Sequence, residues 1–517
     1  MATPRTLTGG NLISVALDIR ACNRARLARD ARFDGRFFIA VLSTGIYCRP
    51  ICRSPFAKRA NVRFYESAEE AIAAGFRACL RCRPEALPGT PAWRGTSATV
   101  NRALRLISEG TLDEHSVHEL SGRLGVSARH LHRLFVSHLG ASPAAIMRTW
   151  RVNFARELIR GTDLPMSFVA QAAGFGSVRR FNDSFRRVYG RTPTSVRRAR
   201  SPAGRSRRDD YTFRISYRQP FDWDWMLSFL AARAIPGVEE VVGGAYRRSF
   251  EHEAGVGVLE VRHDSEARSL EVRIRFARPL SLLPILSRVR RMFDMVADTA
   301  LIGRHLGRDP LLAPLVRRYP APRVPGAWDS FELAVRAILG QQVSVAAAST
   351  LAGRIARQFG QPLSFPDSGG LAVLFPTPGA LADAHLQGMP QARARAIRAL
   401  ARDVSSGRLT FDGSGESVAG GLARIPGVGD WTAQYVAMRA LGEPDAFPAG
   451  DLVLRRVAGG GKTLTVGALR LKAELWRPWR AYAAVTLWRA ASDEAWTASG
   501  ETAQDDPETG RSGLRRA

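Results

Sequence analysis

The stretch LARIPGVGDWTAQYVAMRAL, Leu422 to Leu441, sets a short Gly-x-Gly turn between two apolar runs with helical spacing. Such a turn, here Gly427, Val428 and Gly429, leaves backbone N–H groups uncovered, and a DNA phosphate can approach where no side chain intervenes. Many turns of this kind only bind DNA, so the pattern alone does not imply catalysis. Downstream, DAFPAGDLVLRR carries two acids, Asp445 and Asp451. Asp451 follows Gly450 and opens a helix-like run, where a side chain is held at a helix start. Trp431, Tyr435, Trp476, Trp479, Tyr482 and Trp488 cluster in the same region. A carboxylate beside electron-rich rings suits N-glycosidic cleavage of a cationic base: each ring stacked on the base contributes roughly 0.5–2 kcal/mol. The base must first leave the duplex stack. The plainer alternative makes Asp451 a helix cap and the rings a core; two or three rings are expected to line a pocket.

Working outward, residues 282–491 read as an all-α domain, with DSFELAVRAILGQQVSVAAASTLAGRIARQF starting at an Asp329 cap. Residues 211–281 alternate like β-structure. YTFRISY, GAYRRSF, GVGVLEVRH and SLEVRIRF are strand candidates and DWDWMLSFLAARA is a helix between the first two, so a small antiparallel sheet with helices is expected. Residues 199–210 are a basic segment read as a flexible linker. Residues 98–198 hold two similar helix–break–helix units, with breaks at Gly125 and near Gly174 to Ser177, and with Ser127 and Ser177 as natural caps. Residues 16–88 combine strand-like RFFIAVLSTGIYCRP and NVRFYES with helix-like SAEEAIAAGF. Residues 492–517 are polar and expected to be a disordered tail. The fold class is therefore multidomain α+β: a small four-cysteine zinc domain, an all-α double helix-turn-helix, a small antiparallel β-sheet with helices, and an all-α helix-hairpin-helix domain.

A length of 517 residues supports several cores, and a formal net charge of +28 points to an acidic polymer, nucleic acid above all. Neither an apolar run of about 18 residues nor a signal-peptide pattern is present, which argues against a membrane and for the cytoplasm. AGGGKTLT looks like a phosphate loop, but Arg456 stands where that motif needs glycine, so an NTPase is rejected.

Four of the five cysteines lie in two tight pairs: Cys48 and Cys52 as C-x3-C, Cys79 and Cys82 as C-x2-C. Two such turns complete a tetrahedral thiolate site suited to one Zn²⁺. A purely structural zinc knuckle has the same spacing. Four thiolates on Zn²⁺ carry a net charge of −2, however, so each sulfur stays nucleophilic. Arg49, Arg53, Lys58, Arg59, Arg81 and Arg83 would hold a phosphate backbone against it. A sulfur placed beside an alkylated phosphate takes the alkyl group by displacement, the site falls to −1, and DNA affinity rises.

FDGRFFIAVLSTGIYCRPICRS, NVRFYESAEEAIAAGFRACLRCRP and the helix pair after them resemble the Ada family of adaptive-response proteins over residues 16–198. That resemblance makes Cys48 the acceptor of methyl groups from DNA methylphosphotriesters and Cys52, Cys79 and Cys82 the other zinc ligands. Cys22 has no place in the motif and reads as a small buried residue. The methyltransferase that often ends such chains needs a Pro-Cys-His-Arg site, and no cysteine follows Cys82. GFGSVRRFNDSFRRVYGRTP resembles the AraC-type DNA-binding domain, with recognition helices starting near Ala128 and Val178. Arg129, His130, His132 and Arg133 are candidate DNA contacts in the first and Arg179, Arg180 and Asn182 in the second; Leu131, Leu134, Phe135, Phe181 and Phe185 read as core.

Residues 211–491 resemble the helix-hairpin-helix DNA glycosylases of the 3-methyladenine (AlkA) type. The likeness makes Asp451 the catalytic aspartate, Trp431, Tyr435 and Trp488 pocket aromatics, Gly427 to Gly429 the DNA-binding hairpin, and Gln342 of ILGQQVSVAAA the wedge entering the duplex. No lysine stands just ahead of Asp451, which argues for a monofunctional enzyme using water. Asp430 puts an acid near the expected phosphates. The expected whole is a bifunctional alkylation-repair and response protein: monomeric, bound to alkylated and promoter double-stranded DNA, and working with RNA polymerase. A regulator with a non-catalytic glycosylase-like domain is the alternative.

Overall fold

A computed structural model describes residues 18–27, 37–50, 52, 55–66, 70–71, 74–79, 98–108, 117–198, 209–252, 255–278, 282–295, 297–320, 322–365, 369–413 and 415–501. Helix α1 (Ile19–Leu27) precedes a four-stranded sheet of β1 (Phe38–Val41), β2 (Ile46–Cys48), β3 (Val62–Tyr65) and β4 (Arg77–Ala78), in the order β3-β1-β2-β4. Gly45, at φ 62°, turns the β1–β2 hairpin, a conformation that costs glycine little. β4 joins β2 in parallel. Alternation splits the sheet's apolar residues: Phe38, Ala40, Tyr47 and Phe76 form one small core, while Cys22, Phe37, Ile39 and Val62 form the other. Cys22 is thus a core residue, and burial pushes its thiol up. The helix expected over Ser67 to Phe76 falls largely outside the described residues.

The next helices are α2 (Ala98–Ser108), α3 (Val117–Arg123), α4 (Ala128–Leu139), α5 (Pro143–Gly161), α6 (Met166–Ala172), α7 (Val178–Tyr189) and α8 (Pro193–Arg198). Gly125 and Gly174 take left-handed φ at the two breaks. Ser127 accepts from the His130 N–H and Ser177 from the Arg180 N–H, both at 3.2 Å, so both recognition helices begin where their caps sit. Leu131, Phe135, Phe181 and Phe185 are fully buried, and Leu134 packs at the core's margin.

β5 (Asp210–Ser216), α9 (Trp223–Ala231), β6 (Glu239–Val242), β7 (Ala245–His252), β8 (Gly255–Asp264) and β9 (Ser269–Phe276) follow. They build an antiparallel five-stranded sheet in the order β5-β9-β8-β7-β6. β6 was not expected: it is four residues long and half acidic, so it lacks apolar alternation. The remaining helices are α10 (Leu282–Met292), α11 (Thr299–Leu306), α12 (Leu312–Arg318), α13 (Ser330–Leu339), α14 (Val345–Phe359), α15 (Pro378–Ala382), α16 (Gln391–Ser405), α17 (Gly415–Ala423), α18 (Asp430–Ala440), α19 (Leu452–Val457), α20 (Val466–Ala473) and α21 (Arg480–Glu501). Asp329 caps α13 by accepting from the Glu332 N–H at 2.9 Å, as its position implied. α21 runs through Ser492 to Glu501, into the stretch read as a disordered tail. Asp493 there accepts a hydrogen bond from the Tyr319 hydroxyl at 2.6 Å. No helix among the described residues is long and apolar enough to cross a membrane.

The basic linker at 199–208 lies outside the described residues, but the elements flanking it pack together. One apolar cluster runs from Phe154, Phe185 and Tyr189 of the helix-turn-helix pair to Tyr211, Phe213 and Leu286 of the sheet and α10. α5 ends against β5 at Gly161, where an added Cβ would lie 2.3 Å from the Thr212 carbonyl oxygen. Glu157 pairs with Arg290, and Arg123 with Asp412 at 2.7 Å. Gly161→Val must part α5 from β5, so we expect a loss of about 1–3 kcal/mol in stability. Thermal unfolding should show the helix-turn-helix and sheet signals shifting together; independent halves would shift one alone.

Candidate active site and nucleic-acid interface

α17 and α18 are joined by the Gly427–Val428–Gly429 turn. Gly427 has φ 90°, and a Cβ there would press on Ala396 at 3.3 Å. Val428 is buried, so the turn is anchored by its middle residue while both glycines keep backbone N–H groups clear of side chains. Gln341, which the sequence reading passed over, donates from Nε2 to the Gly427 carbonyl at 2.9 Å and to the Thr432 hydroxyl at 3.1 Å. Arg393 donates to the Gln341 carbonyl. The loop between α13 and α14 is thereby tied to the hairpin. Gln342 projects from that loop, exposed, at φ 56°. A side-chain-bearing residue held there is strained, which fits a position shaped for contact rather than for stability. Asp430 does not stand alone beside the hairpin: Arg470 pairs with it at 2.7 Å.

Asp451 caps α19, accepting from the Leu454 N–H at 3.0 Å. Its two oxygens also receive separate indole hydrogens: Trp431 Nε1 reaches Oδ2 at 3.1 Å and Trp488 Nε1 reaches Oδ1 at 3.2 Å. One carboxylate therefore caps the helix and faces the aromatic cluster at once. Trp431 stacks on Tyr435 with centroids 5.2 Å apart and planes 14° apart, and Tyr435 meets Trp488 edge-on at 6.2 Å. All three rings and Asp451 are partly exposed. Trp476 and Trp479 are core, and Tyr482 is tied to partly buried Asp294, where burial and that carboxylate push its hydroxyl far up. Asp445 is held by Arg477 and Arg480 and so serves the fold.

In the N-terminal sheet, Cys48 ends β2 and Cys79 follows β4, with the Cys79 N–H donating to the Tyr47 carbonyl at 3.0 Å. A turn closed by Cys52 N–H to Arg49 C=O, 3.1 Å, folds Cys52 back. The three sulfurs lie within 4.8 Å of one another, with Cys52 and Cys79 3.9 Å apart. Sulfurs on a tetrahedral Zn²⁺ with bonds of about 2.3 Å sit roughly 3.8 Å apart, so this cluster fits a zinc ion. Cys82, Arg53, Arg81 and Arg83 lie outside the described residues. Arg59 lies over the Phe64 ring and donates to the Val62 carbonyl, so it braces its own strand as well as adding charge.

On the recognition helices, Arg129, His132 and Arg133 are exposed on α4, with Arg133 bonded to His130 at 2.9 Å. Arg179 and Arg180 are exposed on α7, and Asn182 is partly buried. β4 packs on the end of α7: a Cβ on Gly190 would touch the Arg77 side chain at 3.3 Å.

Four family models match in chain order: the metal binding domain of Ada over residues 21–85, a helix-turn-helix domain over 120–199, the AlkA N-terminal domain over 212–329, and the HhH-GPD superfamily base excision DNA repair protein over 335–480. A protein of Mycobacterium tuberculosis (strain CDC 1551 / Oshkosh), described as a probable bifunctional transcriptional activator/DNA repair enzyme AlkA, is 43% identical over 483 residues, covering 91% of this chain and 96% of its own. This chain belongs to that family. It joins a DNA-repair enzyme to a transcriptional regulator in one polypeptide. The DNA-3-methyladenine glycosylase 2 of Escherichia coli (strain K12) is 36% identical over 284 residues, covering 53% of this chain and 96% of its own. The Ada protein of the same organism is 41% identical over 150 residues, covering 29% of this chain and 40% of its own. In the AlkA-type half, replacing Trp431 by Phe keeps the stacked ring and deletes one donor to Asp451. We expect single-turnover base release to fall about tenfold with unchanged thermal stability.

Proposed function

We propose that the C-terminal half excises alkylated purines of the 3-methyladenine type by hydrolysis, and that the N-terminal half takes methyl groups from DNA methylphosphotriesters onto Cys48. The observation that carries the first activity is the carboxylate of Asp451, gripped by two pocket indoles and paired with no cation among the described residues. Its charge is free to stabilise an oxocarbenium-like sugar and to take the proton of the attacking water. Trp431, Tyr435 and Trp488 receive the extruded base, Gly427 to Gly429 hold the phosphates, and Gln342 fills the space the base leaves.

For the second activity, Cys48, Cys52, Cys79 and Cys82 would hold one Zn²⁺, which keeps the thiols deprotonated at neutral pH. The Cys48 sulfur attacks the methyl carbon, the S–C bond forms, and the C–O bond breaks with its electron pair staying on the phosphate. One negative charge is lost from the protein, so its repulsion from DNA falls. The contact of β4 with α7 gives that change a short route to the second recognition helix. α4 and α7 then read successive major grooves with Arg129, Arg133, Arg179, Arg180 and Asn182, and RNA polymerase is recruited by a cytoplasmic monomer.

Incubating the full chain with methylated DNA, while measuring free bases and labelled protein together, separates the activities. We expect Asp451→Asn to lower base release at least a hundredfold and leave protein labelling intact. Cys48→Ser should do the reverse. Base release unaltered by Asp451→Asn would refute the first assignment, and labelling that persists in Cys48→Ser the second. We also expect about one zinc per wild-type chain by elemental analysis, and loss of it in Cys52→Ser.

A further inference from the structure

Behind the aromatic wall lie two guanidiniums without a counter-ion. Arg439 is 3% exposed. Its Nε and Nη2 donate to the carbonyls of Pro325 and Gly326 at 2.7 and 3.1 Å, and its Nη1 donates to the Tyr435 hydroxyl oxygen. Arg233, just past α9, lies 3.7 Å from the centroid of the Phe229 ring, and Arg439 lies 4.9 Å from the same centroid. Neither pairs with a carboxylate among the described residues. Their neighbours differ: Arg248 and Arg336 are matched by Glu239 and Glu332, two cations against two anions. The uncompensated charge is therefore that of Arg233 and Arg439.

Tyr435 reports the resulting potential. Burial alone would raise its hydroxyl, yet Arg439 and then Arg233 hold it below its ordinary range. Tyr246 and Tyr482, buried and beside carboxylates, are pushed far up. The charged groups around Tyr435 are Arg233 from the α9 end, Arg336 from α13 with its partners Glu239 and Glu332, and Arg439 from α18. Asp451 stands beyond Trp431 and Trp488, at the other side of the same wall.

We propose that Arg439 and Arg233 are specificity-determining residues that act through this field: the pocket is negative at its sugar end and positive at its base end. This rests on the reading of Asp451 as the catalytic carboxylate. When the bond from C1′ to the base nitrogen breaks, its electron pair moves to the base. The sugar turns positive, the water oxygen adds to C1′, and the water proton passes to Asp451. A cationic base departs neutral, and a neutral base departs as an anion that then takes a proton from solvent. In both cases the base end gains negative charge, which the guanidiniums stabilise. They also repel a cationic base before it reacts. Neutral lesions depend on the field more, because a neutral base is the poorer leaving group and its later transition state has transferred more negative charge to the base.

The test is single-turnover base release by the full chain from duplexes carrying one hypoxanthine, a neutral base, or one 3-methyladenine, a cationic one. In Arg233→Gln and Arg439→Gln we expect the saturated rate on hypoxanthine to fall about tenfold. The rate on 3-methyladenine should fall less, and its half-saturating protein concentration should drop. Tyrosinate absorbance adds a readout that packing alone would not move. Of the titrating tyrosines, the earliest step in the wild type should vanish in Tyr435→Phe and shift to higher pH in both arginine variants. Equal loss on both lesions, or an unshifted tyrosine step, would overturn the proposal. If Arg439→Gln does not fold, Arg233→Gln decides by the same ratio, since that side chain is only partly buried. A wild type that releases neither base would sink the excision reading and the catalytic role with it, while the absorbance titration would still show whether the positive field exists.

Discussion

Asp451 is a carboxylate held by neutral donors. Three N–H groups, two of them indole, converge on its two oxygens. Hydrogen bonds of this kind orient a charge without cancelling it, whereas an arginine partner would both hold and neutralise it. The aromatic wall is arranged as that requirement demands. Trp431 must turn its nitrogen toward α19, and Trp488 must reach across from α21. Tyr435 then stacks on the face Trp431 leaves. The carboxylate, the pocket and the two helices become one constraint.

Around that centre the chain spends buried charge on alignment. Glu239 accepts from the Ile235 N–H and the Tyr246 hydroxyl, and pairs with Arg248 and Arg336; Glu332 pairs with both arginines too. This set, buried except at the partly exposed Arg336, joins strands β6 and β7 to helix α13, which leads directly into the Gln341–Gln342 loop. Removing one member would strand the others without water, a cost of about 3–5 kcal/mol. The sheet is therefore a brace for the Gln341–Gln342 loop as well as a separate layer.

The regulatory half is attached by packing as much as by chain connection. α5 approaches β5 so closely that only glycine fits at position 161, and the apolar cluster continues across the junction. A helix-turn-helix pair seated this way cannot swing freely relative to the sheet. β4, which leads into Cys79, meets the end of α7 on the other side. The N-terminal sheet that carries Cys48 and Cys79 and the larger antiparallel sheet thus both pack against the second helix-turn-helix unit.

The elements legible in the sequence were those with a local cause. Caps at Ser127, Ser177 and Asp329, left-handed glycines at 125, 174 and 427, and alternation in β5, β7, β8 and β9 all follow from neighbours a few residues away. So does the turn that brings Cys52 back beside Cys48. β6 was missed because its acids find partners only across the sheet. Asp451 stood out from Asp445 by its place at a helix start, but that Asp445 is bound by arginines at 477 and 480 had no local signal. Sequence by itself determined which residue types could cut a glycosidic bond or hold zinc, because those are properties of side chains. Tertiary structure alone decided which indoles face Asp451, that Gln341 braces the hairpin, and that Arg233 and Arg439 have no carboxylate partner among the described residues. Charge balance and hydrogen-bond partners belong to groups brought together from far along the chain, and local spacing carries no record of them.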